Sequence, residues 1–269
     1  MPGDVGSVEV AGVLLQRALK LCRRCWLSVA AFTLIYGAFG TVALLTDRIA
    51  LKLLFDLVVS PLTYGALLLV AAIDLAGPEA TPPGLLTCLR GAALRLCLAH
   101  TITLLVYILA LSLSNGLLLF GGWLLGNAGL AIGASLLGTA TSYAGALLSA
   151  VLLVYVPAVA LLEQGSLLQL FLRGFALQRW AWRELLWLLV PLHLGAALLA
   201  DMVNIVLGTS RDQNSLTELW IHAAAMVLDA ACTTVVYVWV RARLEGFGAR
   251  QLQHQFELLA HAPGAKSVG

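Results

Sequence analysis

Six stretches of the chain run for about 20 positions with few polar interruptions, separated by short polar or glycine-rich segments. A helix needs about 20 apolar residues to cross the roughly 30 Å hydrocarbon layer of a bilayer. The pattern predicts spans at about 26–45, 57–75, 97–120, 143–162, 185–207 and 219–240. Within lipid, a segment must satisfy its own backbone N–H and C=O groups, which a helix does internally. The expected fold is all-α: a polytopic membrane bundle of six transmembrane helices in three hairpins. Residues 1–249 form a single membrane domain and 250–269 a cytoplasmic tail.

A second pattern precedes each odd span. The stretches 8–24, 83–95 and 166–183 are basic and amphipathic. In the first, Gln16, Arg17, Lys20, Arg23 and Arg24 oppose Val10, Val13, Leu14 and Leu21. Thr81-Pro82-Pro83 opens the second, with proline at a position helices favour for their start. Such helices lie in the interface plane, apolar face down, with basic side chains among the headgroup phosphates. The candidate headgroup contacts are Arg17, Lys20, Arg23, Arg24, Arg90, Arg95, Arg173, Arg179 and Arg183. Leu89-Arg90-Gly91-Ala92-Ala93-Leu94-Arg95 aligns, with one extra residue, with Leu172-Arg173-Gly174-Phe175-Ala176-Leu177-Gln178-Arg179. Leu15-Gln16-Arg17-Ala18-Leu19-Lys20 is a weaker third copy. Three tandem units follow, each an amphipathic elbow plus a hairpin. Two spans per unit make the repeats parallel rather than inverted, which argues against inverted-repeat transporter folds.

Charge decides the span count. No Asp, Glu, Lys or Arg occurs between Arg95 and Glu163, and that run has room for two spans or three. Cytoplasmic loops carry the excess of Lys and Arg. With two spans in the run, thirteen of the sixteen basic residues fall inside and only Arg48, Lys52 and Arg211 fall outside. With three, the split is seven inside to nine outside. The six-span arrangement with both termini cytoplasmic is expected. Trp26, Trp180, Trp182, Trp187, Trp220 and Trp239 fall near span ends, as an aromatic belt requires. The remaining stretch, 121–142, reads as a short helix, a re-entrant segment or a glycine-rich loop on the outer side. Gly122, Gly126, Gly129 and Gly133 share one helix face there, a surface for close approach of another helix or a second copy of the chain.

Composition narrows the class. The chain of 269 residues is 61% apolar and 11% charged, with a mean hydropathy of +0.93. Soluble domains are about 45–50% apolar and about 25% charged, so a soluble globular fold, a disordered chain and a disulfide scaffold are excluded. A net charge of +2 without a basic soluble face gives no nucleic-acid partner. The N-terminal apolar run is too long and too late for a cleavable signal, and reads as an uncleaved span. Of five cysteines, Cys22 and Cys25 form a lone CxxC without the second pair that a zinc site needs.

Polar residues inside the spans are the candidate chemistry. A charge at mid-bilayer costs about 2.5–3.5 kcal/mol on insertion scales, so it marks a functional position by default. Asp201 and Asp229 qualify, with His193, His222 and Asn204 nearby. Spans five and six form a hairpin about a centre near Arg211. In that register Asp201 faces His222 and His193 faces Asp229. His193 and Asp201 are eight apart, His222 and Asp229 seven, so each pair shares a helix face. Two stacked His–Asp rungs are expected, serving as interhelical glue or as a proton relay. His100, one turn into span three, is expected at the interface, and Pro61, Pro157 and Pro191 at kinks.

Ser60-Pro61-Leu62-Thr63-Tyr64-Gly65, followed by Asp74 and Gly77-Pro78-Glu79, is similar to the second span of an uncharacterised family of six-span bacterial inner-membrane proteins. Tyr155-Val156-Pro157-Ala158-Val159-Ala160-Leu161-Leu162-Glu163, followed by a basic amphipathic helix and a new span, resembles the same family. That family is related to the membrane domain fused to some glycerophosphodiester phosphodiesterases. The resemblance covers about 17–240. The family's elbow after the acid is Ser/Arg-rich, whereas here it carries Phe171, Phe175, Trp180 and Trp182. The resemblance implies a membrane fold in the bacterial inner membrane and no catalytic residues. No stretch of this chain matches the soluble phosphodiesterase domain, so that activity is not carried over.

No P-loop, HExxH, dinucleotide fingerprint or nucleophile elbow is present. No enzyme activity, cofactor or metal is expected. The sequence favours an accessory or scaffold protein that binds membrane lipids and partner membrane proteins. The alternative is a small transporter or proton-coupled carrier using His193, Asp201, His222 and Asp229. The two part on one feature: a carrier needs a cavity reaching the polar cluster, and a scaffold buries it dry.

Overall fold

Ala11, Leu14, Ala18 and Leu21 recur every three or four residues, so they share one face of a helix. In the computed structural model that helix is α1 (Ser7–Arg24), and all four residues are buried. The structure describes residues 7–46, 48–77, 84–125, 155–207 and 211–260. After α1 come α2 (Trp26–Leu45), α3 (Ile49–Leu54), a π-helical turn at Phe55–Val59 and α4 (Ser60–Ala76). Then follow α5 (Leu85–Leu125), α6 (Tyr155–Leu162), α7 (Leu167–Leu207), α8 (Arg211–Glu245) and α9 (Ala249–Ala260). No strand occurs among the described residues.

The protein is an all-α membrane bundle. Among the described residues five helical segments are long and apolar enough to cross a bilayer: Trp26–Leu45, Ile49–Ala76, Leu85–Val106, Leu167–Val206 and Leu216–Glu245. Of the stretch expected to span at 143–162, only α6 is described, and all eight of its residues are buried. The glycine-rich segment 121–142 lies outside the described residues, except for 121–125 at the end of α5.

Two boundaries differ from expectation. The second span starts at Ile49 rather than near 57, because helix continues through Lys52 and Asp56 by way of the π turn. Pro61 has no N–H to donate, and the widened turn just before it accommodates that loss. The second and third elbows are not separate helices. Arg95-Leu96-Cys97 and Arg183-Glu184-Leu185 contain no helix breaker, so elbow and span fuse into α5 and α7, of 41 residues each. At 1.5 Å per residue α7 is about 60 Å long, twice the hydrocarbon thickness. Its basic first half therefore extends beyond the apolar layer. Only α1 ends as a distinct elbow, at Cys25, where ψ turns to 20°.

Lipid supplies no hydrophobic drive between helices, so contact faces rely on small residues and polar bonds. The outer face of α2 exposes Leu27, Leu34, Ile35, Phe39 and Leu45. Its inner face is Tyr36, Gly37, Gly40 and Ala43. A Cβ at Gly37 would collide with the Trp220 ring, and one at Gly40 with Leu219 and Phe55, so these glycines admit α8 and the π turn. α8 is the hub, packed against α1, α2, α4, α6 and α7. Gly246, at φ 64°, lets the chain leave α8 and turn back into α9. The tail residues Phe247, Leu252 and Phe256 are buried, because α9 docks against α4, α5 and α6 of the same chain.

Candidate functional site

One face of α8 is polar along its length. Glu218, His222, Asp229, Thr233, Tyr237, Arg241 and Glu245 follow one another at four or seven residues, which keeps them in register on a helix. Other helices complete two sites on this stripe.

The first is a cavity of about 280 Å³ inside the bundle. Its polar lining is Tyr36 from α2, Ser60 and Tyr64 from α4, His100 and Thr103 from α5, His193 from α7, and His222 and Asp229 from α8. Pro157 of α6 closes one wall. The Tyr64 hydroxyl donates to Thr233 Oγ1 at 3.3 Å, and Thr233 Oγ1 donates to Asp229 Oδ1 at 3.5 Å. His193 interacts electrostatically with both Asp229 and His222. A second cleft, of about 370 Å³, shares Tyr36 and His222 with the first and is also lined by Lys52, Asp56 and Glu218. His222 is itself exposed, while His193 and Asp229 are half-buried. The two hollows thus meet at Tyr36 and His222, with the cleft lying toward the end of the bundle that carries Lys52 and Glu218.

His193, His222 and Asp229 are brought together by the fold. The side chain of Asp201 lies outside those described, so the outer rung with His222 is not on view. Asn204 is buried on α7 and is not in the cavity wall. His100, expected at the interface, lines the cavity instead, because α5 runs inward without a break from its elbow. Tyr36, Ser60, Tyr64 and Thr103 were not legible as site residues. Lone hydroxyls in apolar helices carry no spacing signal.

The second site lies where α6, α7, α8 and α9 meet. Glu163 follows α6. Arg173 Nε reaches Glu163 Oε2 at 3.2 Å, and Arg241 Nη1 reaches Glu163 Oε1 at 3.3 Å. Arg241 Nε donates to Glu245 Oε2 at 2.9 Å, and Arg173 pairs with Glu245 as well. Two arginines and two glutamates therefore alternate in a closed, neutral ring. Tyr237 donates to Glu163 at 2.8 Å and accepts from Arg241 Nη1 at 2.9 Å. Phe247 lies against the Arg241 guanidinium, 3.9 Å from ring centroid to Cζ. Arg95 Nη1 donates to the Glu163 carbonyl at 2.9 Å.

The expected headgroup residues divide accordingly. Arg95 and Arg173 are half-buried and held by protein partners. Arg24 pairs with Asp74 at 3.5 Å while staying 71% exposed. Arg17, Lys20, Arg23, Arg90, Arg179 and Arg183 are exposed, Arg183 lying over the Trp182 ring. No group of three or more His, Cys, Asp or Glu able to hold a metal occurs among the described residues. Burial pushes the Cys22 and Cys25 thiols above their ordinary range, with Asp74 adding to the effect at Cys25. A reactive CxxC needs the opposite shift.

No family model, curated protein or solved structure matches the chain. It is a multi-pass membrane protein. The functional reading therefore rests on the two sites themselves.

Proposed function

We propose that this protein is a small carrier that moves a polar, cationic solute across a membrane, with the cavity around Asp229 as its binding site. One observation carries the reading: a hollow of about 280 Å³ reaches the intramembrane polar residues and shares Tyr36 and His222 with a cleft at one end of the bundle. A scaffold gains nothing from keeping such a space in its core, since helix packing favours close contact. The lining suits a cation. Among the described residues Asp229 is its one carboxylate and no lysine or arginine lines it, and Tyr36 and Tyr64 offer aromatic rings. The charge distribution puts the Lys52 and Glu218 end on the outer side of a bacterial inner membrane, with both termini cytoplasmic. Membership of the six-span family resembled by the sequence is part of the same proposal.

The test is accessibility. Ala196 and Ala225 line the cavity. Each is replaced by cysteine in a chain whose five native cysteines are removed. A membrane-impermeant, positively charged thiol reagent added on the Lys52 side should modify both, and bulk at either position should block solute uptake into vesicles. Protection of both positions until the bundle is unfolded would leave the cavity without access and end the carrier reading.

A lipid-binding scaffold role is favoured by a separate feature. α1 presents Arg17, Lys20 and Arg23 exposed beside exposed Val13 and Leu19. A carrier with an interfacial helix satisfies that feature too, whereas the scaffold reading leaves the cavity unexplained.

A further inference from the structure

The carboxylates of Asp74, Glu163 and Glu245 each face an arginine. Asp229 does not. Its neighbours are His193, Tyr64, Thr233 and Cys232, and among the described residues no lysine or arginine lines its cavity. A carboxylate within the apolar layer is costly without a matching charge, so its complement is a cation from outside the chain.

The oxygens around Asp229 are spaced like part of an ion's shell. Tyr64 Oη and Thr233 Oγ1 lie 3.3 Å apart, and Thr233 Oγ1 and Asp229 Oδ1 lie 3.5 Å apart. The Tyr64 hydroxyl also interacts with the Asp229 carboxylate. Hydrogen bonds between oxygens are normally about 2.7–2.8 Å long. The hydroxyls of Thr63, Thr103 and Thr234 meet that standard, reaching the carbonyl four residues back at 2.8, 2.9 and 2.8 Å. Thr233 instead directs its hydroxyl at a carboxylate and holds it at arm's length. Calcium, close to sodium in radius, binds oxygens at about 2.3–2.6 Å, which sets neighbouring oxygens of an octahedral shell about 3.3–3.7 Å apart. Magnesium, at about 2.0–2.1 Å, draws them to about 2.9 Å. Potassium is larger and spreads them further. Three mutually adjacent oxygens make one triangular face of such a shell.

We propose that the cation taken by this cavity is a sodium ion, ligated on one face by Asp229 Oδ1, Thr233 Oγ1 and Tyr64 Oη. The proposal names the cation of the carrier reading and rests on that reading for the ion's passage. Charge selects the valence. One carboxylate balances one positive charge, whereas a divalent ion leaves an excess charge inside the bilayer. Transition metals want several His, Cys or carboxylate ligands; a hard alkali ion accepts hydroxyl oxygens. The hydrogens of both hydroxyls turn away from the ion. That of Thr233 has the carbonyl four residues back within its reach, the bond that other threonines of this protein make. The other face of the shell opens on the cavity, with Ser60 and Thr103 in its wall. A hollow of about 280 Å³ has room for several waters at about 30 Å³ each, so the ion keeps part of its hydration. Since Tyr64 belongs to α4 and the other two ligands to α8, the bound ion also ties these helices together.

Equilibrium binding of radioactive sodium to the full chain in detergent tests the proposal. A medium at about pH 8, above the ordinary imidazole range, keeps histidine charge from competing. Sodium should bind saturably, one ion per chain. Unlabelled sodium chloride should displace it at far lower concentration than potassium or magnesium chloride does. Thr233→Val should weaken binding by about tenfold, the worth of one bond to a charged group, while Thr233→Ser should retain it. Thr234→Val should bind as the parent does, since the Thr234 hydroxyl is turned to the Ala230 and Leu68 carbonyls. Asp229→Asn should abolish binding; where that variant fails to fold, Thr233→Val set against Thr233→Ser decides alone. No saturable sodium binding, equal displacement by potassium or magnesium, or parental affinity in Thr233→Val each overturns the proposal. Thiol labelling at Ala225→Cys in vesicles separates the failures. If sodium does not bind but labelling persists, the cavity still admits solute and only the ion is wrong; if labelling is lost as well, the carrier reading falls too.

Discussion

Arg173 and Arg241, on different helices, hold the same two carboxylates, Glu163 and Glu245. Each arginine spans both acids, so no member can leave without stranding the others. The side chains of Arg241 and Glu163 are only 11% and 16% exposed. Removing one partner of a buried pair typically costs about 3–5 kcal/mol, because the remaining charge stays desolvated and unmatched.

Arg241→Ala should therefore destabilise the protein by about 3 kcal/mol. Arg173→Ala should cost less, since Arg173 is 33% exposed and water substitutes in part. Arg24→Ala should change stability by no more than about 1 kcal/mol, as expected for an exposed surface pair. Thermal unfolding in one detergent ranks the three. Equal losses, or Arg24→Ala as the worst, would show that the ring is not a stabilising unit.

Two buried tyrosines should answer the same substitution in opposite ways. Tyr237 makes hydrogen bonds to Glu163 and Arg241, whereas the Tyr155 hydroxyl is buried with no hydrogen-bond partner among the described residues. Leaving a polar group buried and unbonded costs about 1–3 kcal/mol. Tyr155→Phe should be neutral or stabilising, and Tyr237→Phe should destabilise by about 1.5–3 kcal/mol, the worth of bonds to charged groups. Unfolding midpoints of the two variants, measured side by side, decide the matter.

Glycine substitutions should separate by position. A Cβ at Gly65 would collide with Leu96 of α5, while at Gly12 nothing lies within 4 Å. Gly65→Ala should cost about 1–3 kcal/mol through overpacking, and Leu96→Ala should recover part of that loss. Gly12→Ala should stabilise α1 by about 0.5–1 kcal/mol, since alanine is the better helix former. A Gly65→Ala protein as stable as the parent would mean that α4 and α5 pack less closely than the structure has them.

What could be read from the sequence follows from periodicity. The apolar runs gave the helices, and the pattern of α1 gave Leu14 and Leu21 of its buried face, whereas Val13, expected on that face, is exposed and Ala11 and Ala18 complete it instead. The convergence of His193 and Asp229 was also legible, because a hairpin fixes which residues share a depth. Contacts between distant helices were not. Nothing local ties Tyr64 to Thr233 or Arg173 to Glu245. The ring had a trace: Glu163 stood out as the acid ending a long uncharged run, and Arg241 and Glu245 lie four apart. That spacing alone reads as a solvated helix pair. The long fused helices were missed because a change from amphipathic to apolar pattern suggests a boundary, as it does mark one at Cys25, whereas at Arg95–Cys97 and Arg183–Leu185 the helix runs straight through the same change.

The cysteine pair gives a pH prediction outside the membrane. Thiolate is the reactive form. With their pKa values raised, Cys22 and Cys25 carry less thiolate at neutral pH than free cysteine, and alkylation should accelerate only as pH climbs past the ordinary thiol range. Asp74 raises the Cys25 value and Arg24 lowers it. Asp74→Asn should therefore speed alkylation of Cys25 and Arg24→Gln should slow it. Mass spectrometry of timed iodoacetamide reactions across a pH series reads both effects, and identical rates in the two variants would remove the electrostatic account.

The C-terminal helix α9 should behave as part of the bundle. Its Leu252 and Phe256 are buried at 1% and 0% exposure. Gln164 Nε2 donates to the Leu258 carbonyl at 3.2 Å, tying the end of α9 to the turn after α6. An unattached amphipathic helix of twelve residues is marginal in water, so its order depends on docking. Phe256→Ala should cost about 3–5 kcal/mol of docking energy if the site cannot collapse. Phe256→Asp should release the helix altogether, since a carboxylate there has no partner. Release would also uncover Phe247 and the guanidinium of Arg241, and so weaken the charge ring from outside. Limited proteolysis follows this directly: cleavage after 248 should be slow in the parent and fast in Phe256→Asp, with the thermal midpoint falling toward that of Arg241→Ala. Rapid cleavage of the parent at the same bonds would mean that α9 is an independent tail and that the ring is held by α7 and α8 alone.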